Sequence, residues 1–172
     1  ISHKDILFPE LRKFVSRYAL EDGKNKKILE IGCGDTVDFK NYFENMGYKY
    51  QGVDRNLKFE SEFCSIGDMN SLPFSDSEFD IILSVHSFEH CENPVLALRE
   101  MKRVSRKFIV IFTPFECLHQ TCCADLDHIN VVNERQIERL FRFVGITKIM
   151  IYTQKEGIKL EQDYNLCSFG EV

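Results

Sequence analysis

The chain has 172 residues, of which 44% are hydrophobic and 12% aromatic. A chain of this length and composition can bury a core, which excludes a disordered protein. Its formal net charge of -5 disfavours a nucleic-acid surface that depends on bulk positive charge, so we expect a small-molecule partner instead.

Cysteine usage and hydropathy indicate the compartment. The chain has seven cysteines, an odd count without the regular spacing of a small disulfide-bonded secreted domain. No apolar run approaches the roughly eighteen residues of a membrane-spanning helix, and the first residues lack a signal-peptide core. We therefore expect thiols rather than disulfides, a cytoplasmic location and no membrane span.

Hydrophobic periodicity predicts alternating helices and strands from the start of the chain. Apolar residues at helical spacing between positions 7 and 18 predict a leading amphipathic helix, and a polar linker follows it up to residue 25. Beyond the linker, apolar runs predict strands over 27–31, 50–53 and 63–66, with a helix over 39–46 that Gly47 ends.

The second half of the chain continues the alternation. The strongest strand signal covers 79–85, and Asn93 followed by Pro94 predicts a helix that continues to Val104. The remaining predictions are a strand over 108–112, a long loop over 114–132, a helix from the capping box at 133–136 to Gly145, and strands over 146–152 and 164–169. The pattern predicts an α/β fold, with a doubly wound sheet in a single domain over 1–172 and its core in 26–172.

Polar residues and glycines follow the predicted strands where an open parallel sheet binds its ligands. Gly32 and Gly34 follow the first strand and let the backbone turn tightly at the start of a helix. Asp54 follows the second strand and suits ribose hydroxyls, while Asp68 and Met69 follow the third and suit an adenine. The alternative is purely structural, in which the glycines form a turn, Asp68 caps one and Met69 belongs to the core.

Two nucleotide-containing cofactors compete for this arrangement. A dinucleotide fingerprint requires a third glycine at position 37, where this chain has Val37, and Asp35 would repel a pyrophosphate. S-adenosylmethionine contains an adenosine but no phosphate, and its ammonium and sulfonium groups are compatible with an acidic glycine loop. These residues disfavour a nicotinamide oxidoreductase and favour S-adenosylmethionine.

Four blocks carry a resemblance to a known family: ILEIGCGDT at 28–36, YQGVDRN at 50–56, the segment 67–94 and HINVVNERQIERL at 128–140. In this order and spacing they resemble class I S-adenosylmethionine-dependent methyltransferases of the type-11 group. The resemblance implies a Rossmann-like sheet of seven strands in the order 3-2-1-4-5-7-6, with strand 7 antiparallel. Thr36 departs from the pattern, because many members have a third glycine there.

The resemblance also implies a set of residues that bind S-adenosylmethionine. Glu30, Gly32 and Gly34 would hold the methionyl end. Asp54 would hold the ribose hydroxyls, and Asp68 with Met69 would contact the adenine. The remaining members of the implied set are Cys33, Arg55, Ser84, Val85 and His86, of which Ser84 and His86 would border the methionine and sulfonium.

Histidines after the fourth and fifth strands are candidates for catalysis. A hydroxyl acceptor benefits from a general base, and the candidates are His86, His90 and His128, with Glu89 and His119 as further possibilities. Each of these histidines could equally be a packing or hydrogen-bonding residue. His86 and His90 also have the spacing of a metal pair on a helix. No third ligand at comparable spacing accompanies them beyond Glu89 and Cys91, so the sequence does not predict a metal site.

The segment 116–128 is rich in cysteine, histidine and carboxylates. It lacks the Cys-x-x-Cys pairs of structural zinc sites, because Cys122 and Cys123 are adjacent. Its position after the fifth strand instead predicts a lid or a wall of the acceptor pocket, with His119 or His128 able to reach the substrate. Phe88, Phe115 and Leu118 could contribute apolar contacts there, or could be ordinary core residues.

The sequence does not identify the methyl acceptor. Small molecules, sugars and lipid-type acceptors remain open, and an Asn/Asp-Pro-Pro-aromatic signature of enzymes that methylate nucleic-acid amino groups does not follow the fourth strand. The alternative function is a non-catalytic module that binds S-adenosylmethionine or regulates a partner. The oligomeric state is not predicted.

Overall fold

The computed structural model describes residues 3–35, 39–114, 127–130, 133–155 and 164–172. Within these ranges four α-helices alternate with the strands of one sheet. The helices are α1 (His3–Arg17), α2 (Lys40–Asn45), α3 (Pro94–Val104) and α4 (Glu134–Phe143). The strands are β1 (Lys27–Ile31), β2 (Lys49–Asp54), β3 (Cys64–Ile66), β4 (Phe79–Val85), β5 (Ser105–Pro114), β6 (Lys148–Lys155) and β7 (Tyr164–Glu171).

The strand order confirms the predicted topology. The seven strands lie in the order β3-β2-β1-β4-β5-β7-β6. Strands β1 to β5 pair in parallel, whereas β7 runs antiparallel to both of its neighbours. The carboxyl ends of the first five strands therefore meet at one edge of the sheet, which is where this class of fold builds its binding sites.

Two helix starts confirm predictions from residue type. The Asn93 side chain accepts a hydrogen bond from the backbone N–H of Leu96 at 3.0 Å, and Pro94 occupies the first turn of α3. At α4, Asn133 and Gln136 form the reciprocal bonds of a capping box. Both caps satisfy backbone N–H groups that have no partner within the helix. They fix where α3 and α4 begin.

Apolar side chains on both faces of the sheet bury it, which explains the continuous hydrophobic runs of the central strands. Along β1, Ile28 packs in the cluster with α1 and α2, while Leu29 packs in the cluster with α3 and α4. Helix α1 is part of this packing, since the Phe14 ring stacks on Phe169 of β7 with centroids 4.9 Å apart. The predicted leading helix thus covers one face of the sheet.

Two observations bear on the remaining expectations. Cys33, Cys64, Cys91 and Cys167 are all buried free thiols, as the sequence predicts for the cysteines among the described residues. Among the helices of the described ranges, none has both the length and the apolar character needed to cross a bilayer.

Candidate functional site

A cavity of about 540 Å³ opens at the carboxyl ends of β1, β2, β3 and β4. Its volume lies within the range of about 300–1,000 Å³ that is typical of small-molecule sites. Its lining combines carboxylates, amides, histidines and a few apolar side chains. The lining residues are Ile31, Gly32, Val53, Asp54, Arg55, Asn56, Gly67, Asp68, Met69, Asn70, His86, Ser87, His90, Cys91, Asp127 and Ile129.

The turn after β1 has a left-handed backbone at both glycines of the predicted loop. Gly32 has φ +74° and Gly34 has φ +58°. A Cβ at Gly32 would lie 2.3 Å from the Ser87 Cβ, whereas one at Gly34 would have no heavy atom within 4 Å. Gly32 is thus required for both its conformation and its close contact with the segment after β4.

Ser87 is a pocket residue that sequence reasoning missed. Its hydroxyl donates to the Ile31 carbonyl at 2.9 Å and lies 2.7 Å from the Ser84 hydroxyl. Because the Ser87 proton goes to the carbonyl, the Ser84 hydroxyl donates to Ser87. This series of hydrogen bonds links the end of β4 to the glycine turn. Sequence reasoning could have found Ser87 only by asking which residue packs against Gly32, where the absence of a Cβ leaves room for a small polar side chain.

Asp54 ties the end of β2 to the same turn. One carboxylate oxygen accepts the Gly34 N–H at 2.9 Å, and the other accepts the Asn56 N–H at 2.8 Å. These bonds orient the carboxylate at the pocket wall. A carboxylate offers about four acceptor positions, so each oxygen retains capacity for a further hydroxyl donor.

The turn after β3 places a second carboxylate in the lining. Asp68 accepts from the backbone N–H and the side-chain amide of Asn70, at 2.8 and 3.0 Å. The Arg55 guanidinium lies 3.9 Å from Asp68 and 3.4 Å from Glu92. Met69 packs against the core beside Asp68, so a polarizable apolar side chain adjoins the carboxylate.

Other members of the predicted cofactor set lie outside the lining, as far as the structure describes the chain: Glu30, Cys33, Gly34, Ser84 and Val85. Glu30 is only 3% exposed and accepts the Tyr50 hydroxyl at 2.5 Å. Burial, reinforced by the Glu30 carboxylate, raises the pKa of Tyr50 far above its ordinary value. Glu30 and Tyr50 thus form a buried polar pair beneath the glycine turn.

Cys33 also lies beneath the turn, with its sulfur 2.9 Å from that of Cys64 in β3. Burial and the neighbouring thiol raise the pKa of Cys33 well above its usual range, so both groups are thiols at neutral pH. A Cβ at Gly52 would lie 2.6 Å from the Cys33 sulfur, so the glycine in β2 makes room for this contact.

A further part of the lining comes from the segment after β4. His86 has a left-handed backbone with φ +47°, and its N–H donates to the Phe112 carbonyl at 2.9 Å. A short 3₁₀ turn then covers Phe88–His90. His86 and His90 both line the cavity, whereas Phe88 is fully buried in the core.

Residues 127–130 pack against this 3₁₀ turn. The ring of His128 meets that of His90 edge to face, with centroids 4.8 Å apart, and the His90 Nδ1 lies 2.9 Å from the Asp127 carbonyl oxygen. Asn130 donates its backbone N–H to the Glu89 carbonyl at 2.8 Å and its side-chain amide to the Cys91 carbonyl. The fold therefore brings two predicted histidines together from distant parts of the sequence.

The pocket has two sides that differ in composition. The glycine-loop side comprises Gly32, Asp54, Asp68 and the residues around them. The histidine side comprises the lining residues His86 and His90 together with Glu89 and His128, which lie beside His90 but outside the lining. Glu89, His90 and His128 each offer a potential metal-ligand atom, and these atoms all lie within 4.8 Å of one another.

Several predicted residues lie outside the described part of the chain. In the glycine loop these are Thr36 and Val37. In the loop after β5 they are Phe115, Leu118, His119, and the three cysteines Cys117, Cys122 and Cys123. The lid prediction therefore rests on residues 127–130 alone, of which Asp127 and Ile129 line the cavity.

Comparisons with known proteins agree with this geometry. Residues 29–108 match the family model described as a methyltransferase domain. An S-adenosylmethionine-dependent methyltransferase from Archaeoglobus fulgidus has the same fold, with a TM-score of 0.69 at 17% identity over 95% of this chain and 94% of that one.

Curated relatives match a smaller share of this chain than the Archaeoglobus fulgidus structure does. Norajmaline N-methyltransferase from Rauvolfia serpentina is 25% identical over 118 residues, which cover 58% of this chain and 39% of the relative. Malonyl-[acyl-carrier protein] O-methyltransferase from Erwinia pyrifoliae is 30% identical over 92 residues, covering 49% and 35%. The chain thus spans well under half the length of these relatives. The match of residues 29–108 to the methyltransferase-domain model, the strand order and the glycine turn all agree with the predicted resemblance to class I S-adenosylmethionine-dependent methyltransferases of the type-11 group.

Proposed function

We propose that this protein transfers the methyl group of S-adenosylmethionine to an oxygen or nitrogen atom of a small-molecule, sugar or lipid-type acceptor. The observation that carries the proposal is the convergence of Gly32, Asp54, Asp68, Met69 and His86 on one cavity of about 540 Å³. These residues follow four different strands, and together they match the chemical parts of an adenosine joined to a cationic amino acid.

Each part of the cofactor has a suitable partner on the glycine-loop side. The left-handed turn at Gly32 brings backbone close to the methionyl end without a side chain between them. Asp54 offers two oriented oxygens to the ribose hydroxyls. Asp68 and Met69 line the cavity next to each other, so they would offer a carboxylate to the edge of the adenine and a thioether to its face. Buried Glu30 adds negative charge beneath the cationic end.

The charge of the lining supports S-adenosylmethionine over a phosphate-bearing ligand. Asp54, Asp68 and Asp127 are carboxylates, whereas Arg55 is the lining's guanidinium and lies near Asp68 and Glu92. Carboxylates attract the sulfonium and ammonium groups and repel phosphates. The same argument disfavours a nucleic acid as the acceptor.

S-adenosylmethionine supplies an activated methyl group, so the chain's main contribution is to position the acceptor. Holding two reactants in line can contribute about 7–11 kcal/mol to lowering the barrier. We assign this role to the histidine side, where His86, His90 and His128 are the candidate bases for removing an acceptor proton. General-base catalysis of this kind contributes about 10²–10⁴-fold in rate.

The relatives include an N-methyltransferase, an O-methyltransferase and a sterol C-methyltransferase by name, so they do not fix the acceptor atom of this chain. An amine needs only to be neutral, whereas a hydroxyl benefits from losing its proton. The histidine side can serve either acceptor, which is why the proposal includes both atoms.

Titration calorimetry with S-adenosylmethionine tests the proposal. We expect one equivalent to bind, and we expect Asp54→Ala to weaken binding about tenfold or more, because it removes the acceptor for two backbone N–H groups and for the ribose. Glu138→Ala, at an exposed ion pair on α4, is the control and should leave binding unchanged.

The outcome also separates the alternatives. Absence of S-adenosylmethionine binding would contradict both the enzyme and the non-catalytic cofactor-binding module. Binding without methyl transfer to any of a panel of hydroxyl and amine acceptors would favour the non-catalytic module. Binding of NADH in preference to S-adenosylmethionine would instead indicate an oxidoreductase.

A further inference from the structure

We propose that Glu89, His90 and His128 bind a divalent first-row cation of the Mn²⁺ or Zn²⁺ type on the histidine side of the pocket. Sequence spacing did not predict this site, because residues 86–91 alone contain no complete ligand set. The fold supplies the missing member by packing His128 against the 3₁₀ turn that carries Glu89 and His90.

The donor set suits such a cation. Two imidazoles and a carboxylate are the three protein ligands of many open metal sites, in which further positions remain for water or substrate. The three ligand atoms lie within 4.8 Å of one another. Two ligands on one ion with bonds of about 2.0–2.2 Å are separated by at most about 4.4 Å, so a small rotation of the side chains completes the set.

Hydrogen bonding already orients one of the ligands. A carbonyl oxygen only accepts, so the 2.9 Å contact between His90 Nδ1 and the Asp127 carbonyl places a proton on Nδ1. In a neutral ring this leaves the lone pair on Nε2, which is the atom free to bind a metal. Metal-binding histidines generally have such a second partner, which fixes the tautomer and the plane of the ring.

The two ligand-bearing segments are also held together by backbone contacts. Asn130 donates to the carbonyls of Glu89 and Cys91, on either side of His90. The position of His128 relative to Glu89 is therefore set by its neighbours rather than by the metal. A preformed site of this kind lowers the conformational cost of binding an ion.

Electrostatics favour a cation at this position. Glu89 is 2% exposed, and a buried carboxylate is stabilised by any cation that binds it. Asp68 and Asp127 line the adjoining cavity and add to the negative potential. His90 and His128 are partly exposed, so an ion can enter from the pocket.

The site narrows the acceptor class if the proposed methyl transfer is correct, and this part of the inference rests on that function. A divalent cation lowers the pKa of a hydroxyl bound to it, which favours an oxygen acceptor over an amine. The hydroxyl proton passes to solvent, the oxygen forms a bond to the methyl carbon, and the carbon–sulfur bond breaks with its electron pair staying on sulfur. The products are a methyl ether and S-adenosylhomocysteine.

Titrating Mn²⁺ into the chelator-treated full chain tests the site directly. Binding is measured as the loss of the electron paramagnetic resonance signal of free Mn²⁺. Mn²⁺ is the preferred probe because the seven cysteines compete for Zn²⁺ more strongly. We expect one Mn²⁺ per chain, with affinity reduced at least tenfold in His128→Ala and Glu89→Gln. His86→Ala removes a histidine from the same pocket but outside the ligand set, so it should leave Mn²⁺ affinity within about twofold.

Each result decides the inference. Failure of the wild-type chain to bind Mn²⁺, or equal losses in His86→Ala and His128→Ala, would overturn it. His128→Ala is the principal variant because its ring is partly exposed, and retained S-adenosylmethionine binding would show that it folds. A chain that binds S-adenosylmethionine but not Mn²⁺ refutes the metal site and leaves the proposed function intact. A chain that binds Mn²⁺ but not S-adenosylmethionine supports the metal site and refutes the proposed function.

Discussion

The two sides of the pocket are held in place by different kinds of structure. On the glycine-loop side, Gly32, Asp54 and Asp68 each lie at or just beyond the end of their own strand, and the parallel sheet brings the strand ends together. On the histidine side, His90 and His128 meet only because two loops pack against each other. The first side depends on local backbone conformation and sheet register, and the second on contacts between segments that no single strand positions.

This difference suggests a division of labour. A side fixed by strand ends and backbone hydrogen bonds can hold the same cofactor in many relatives. A side built from loops can change its residues without disturbing the sheet, because loops tolerate substitution and insertion better than buried strands. We therefore expect cofactor affinity and acceptor turnover to respond to different substitutions.

The largest expected effect comes from a substitution on the histidine side, which should change turnover without changing cofactor affinity. His128→Ala should lower the rate of S-adenosylhomocysteine formation with an accepted hydroxyl substrate by about 10²–10⁴-fold, the range for loss of a group that assists removal of the acceptor proton, either as a base or as a ligand of the proposed cation. Its calorimetric affinity for S-adenosylmethionine should stay within about twofold, because the glycine-loop side is unchanged. Glu138→Ala on α4 serves as the control for both measurements. Equal losses of rate and cofactor affinity would contradict the division.

The next effect comes from the glycine-loop side, where two glycines form a matched pair. Gly32→Ala combines a left-handed backbone with a Cβ 2.3 Å from that of Ser87, so it should weaken S-adenosylmethionine binding about 10–100-fold and lower the melting temperature. Gly34→Ala has a similar φ but no neighbour within 4 Å, so it should cost only about 1 kcal/mol of backbone strain.

Calorimetry and thermal unfolding of both alanine variants distinguish strain from steric contact. If Gly34→Ala were as damaging as Gly32→Ala, the left-handed backbone alone would account for the loss. The contact between the glycine turn and Ser87 would then have no measurable role.

The sheet and the glycine-loop side were predictable from the sequence because their signals are local. An apolar run such as 79–85 defines a buried strand, and Asn93 before Pro94 defines a helix start, whatever the rest of the chain does. Strand order and the roles of Asp54 and Asp68 came from the family resemblance rather than from periodicity. The topology confirms the order, and the assigned roles stay predictions.

The histidine side was less predictable because its signal is not local. Spacing alone relates His86 to His90, yet His90 is paired with His128 from beyond β5. Ser87 was missed for a related reason, since its importance comes from its direct contact with the turn at Gly32 rather than from its neighbours in the chain. Contacts between distant segments depend on packing, which a single sequence does not display.

The smallest expected effect concerns the buried pair that supports the glycine-loop side from below. Tyr50→Phe removes the hydroxyl that donates to Glu30 at 2.5 Å, so we expect a loss of about 1.5–3 kcal/mol in the free energy of unfolding at pH 7. S-adenosylmethionine affinity should fall several-fold, because Glu30 loses a bond that orients it. Tyr48→Phe removes a hydrogen bond to the Leu20 carbonyl, away from the lining residues, and should leave cofactor affinity unchanged.

The pH dependence of the same variant gives a second readout with a definite sign. A tyrosine in the unfolded chain loses its proton near pH 10, whereas burial and the Glu30 carboxylate raise the pKa of Tyr50 in the folded protein. Above about pH 10 the unfolded state therefore binds fewer protons than the native state, and this group makes stability fall by about 1.4 kcal/mol per pH unit. Denaturant unfolding between pH 7 and 11 should give parallel curves for wild type and Tyr50→Phe up to about pH 9 and a shallower decline for the variant above pH 10. If the two stability curves were parallel from pH 7 to 11, Tyr50 would have the same pKa in the folded and unfolded states. The Tyr50–Glu30 pair would then not support the glycine-loop side as inferred.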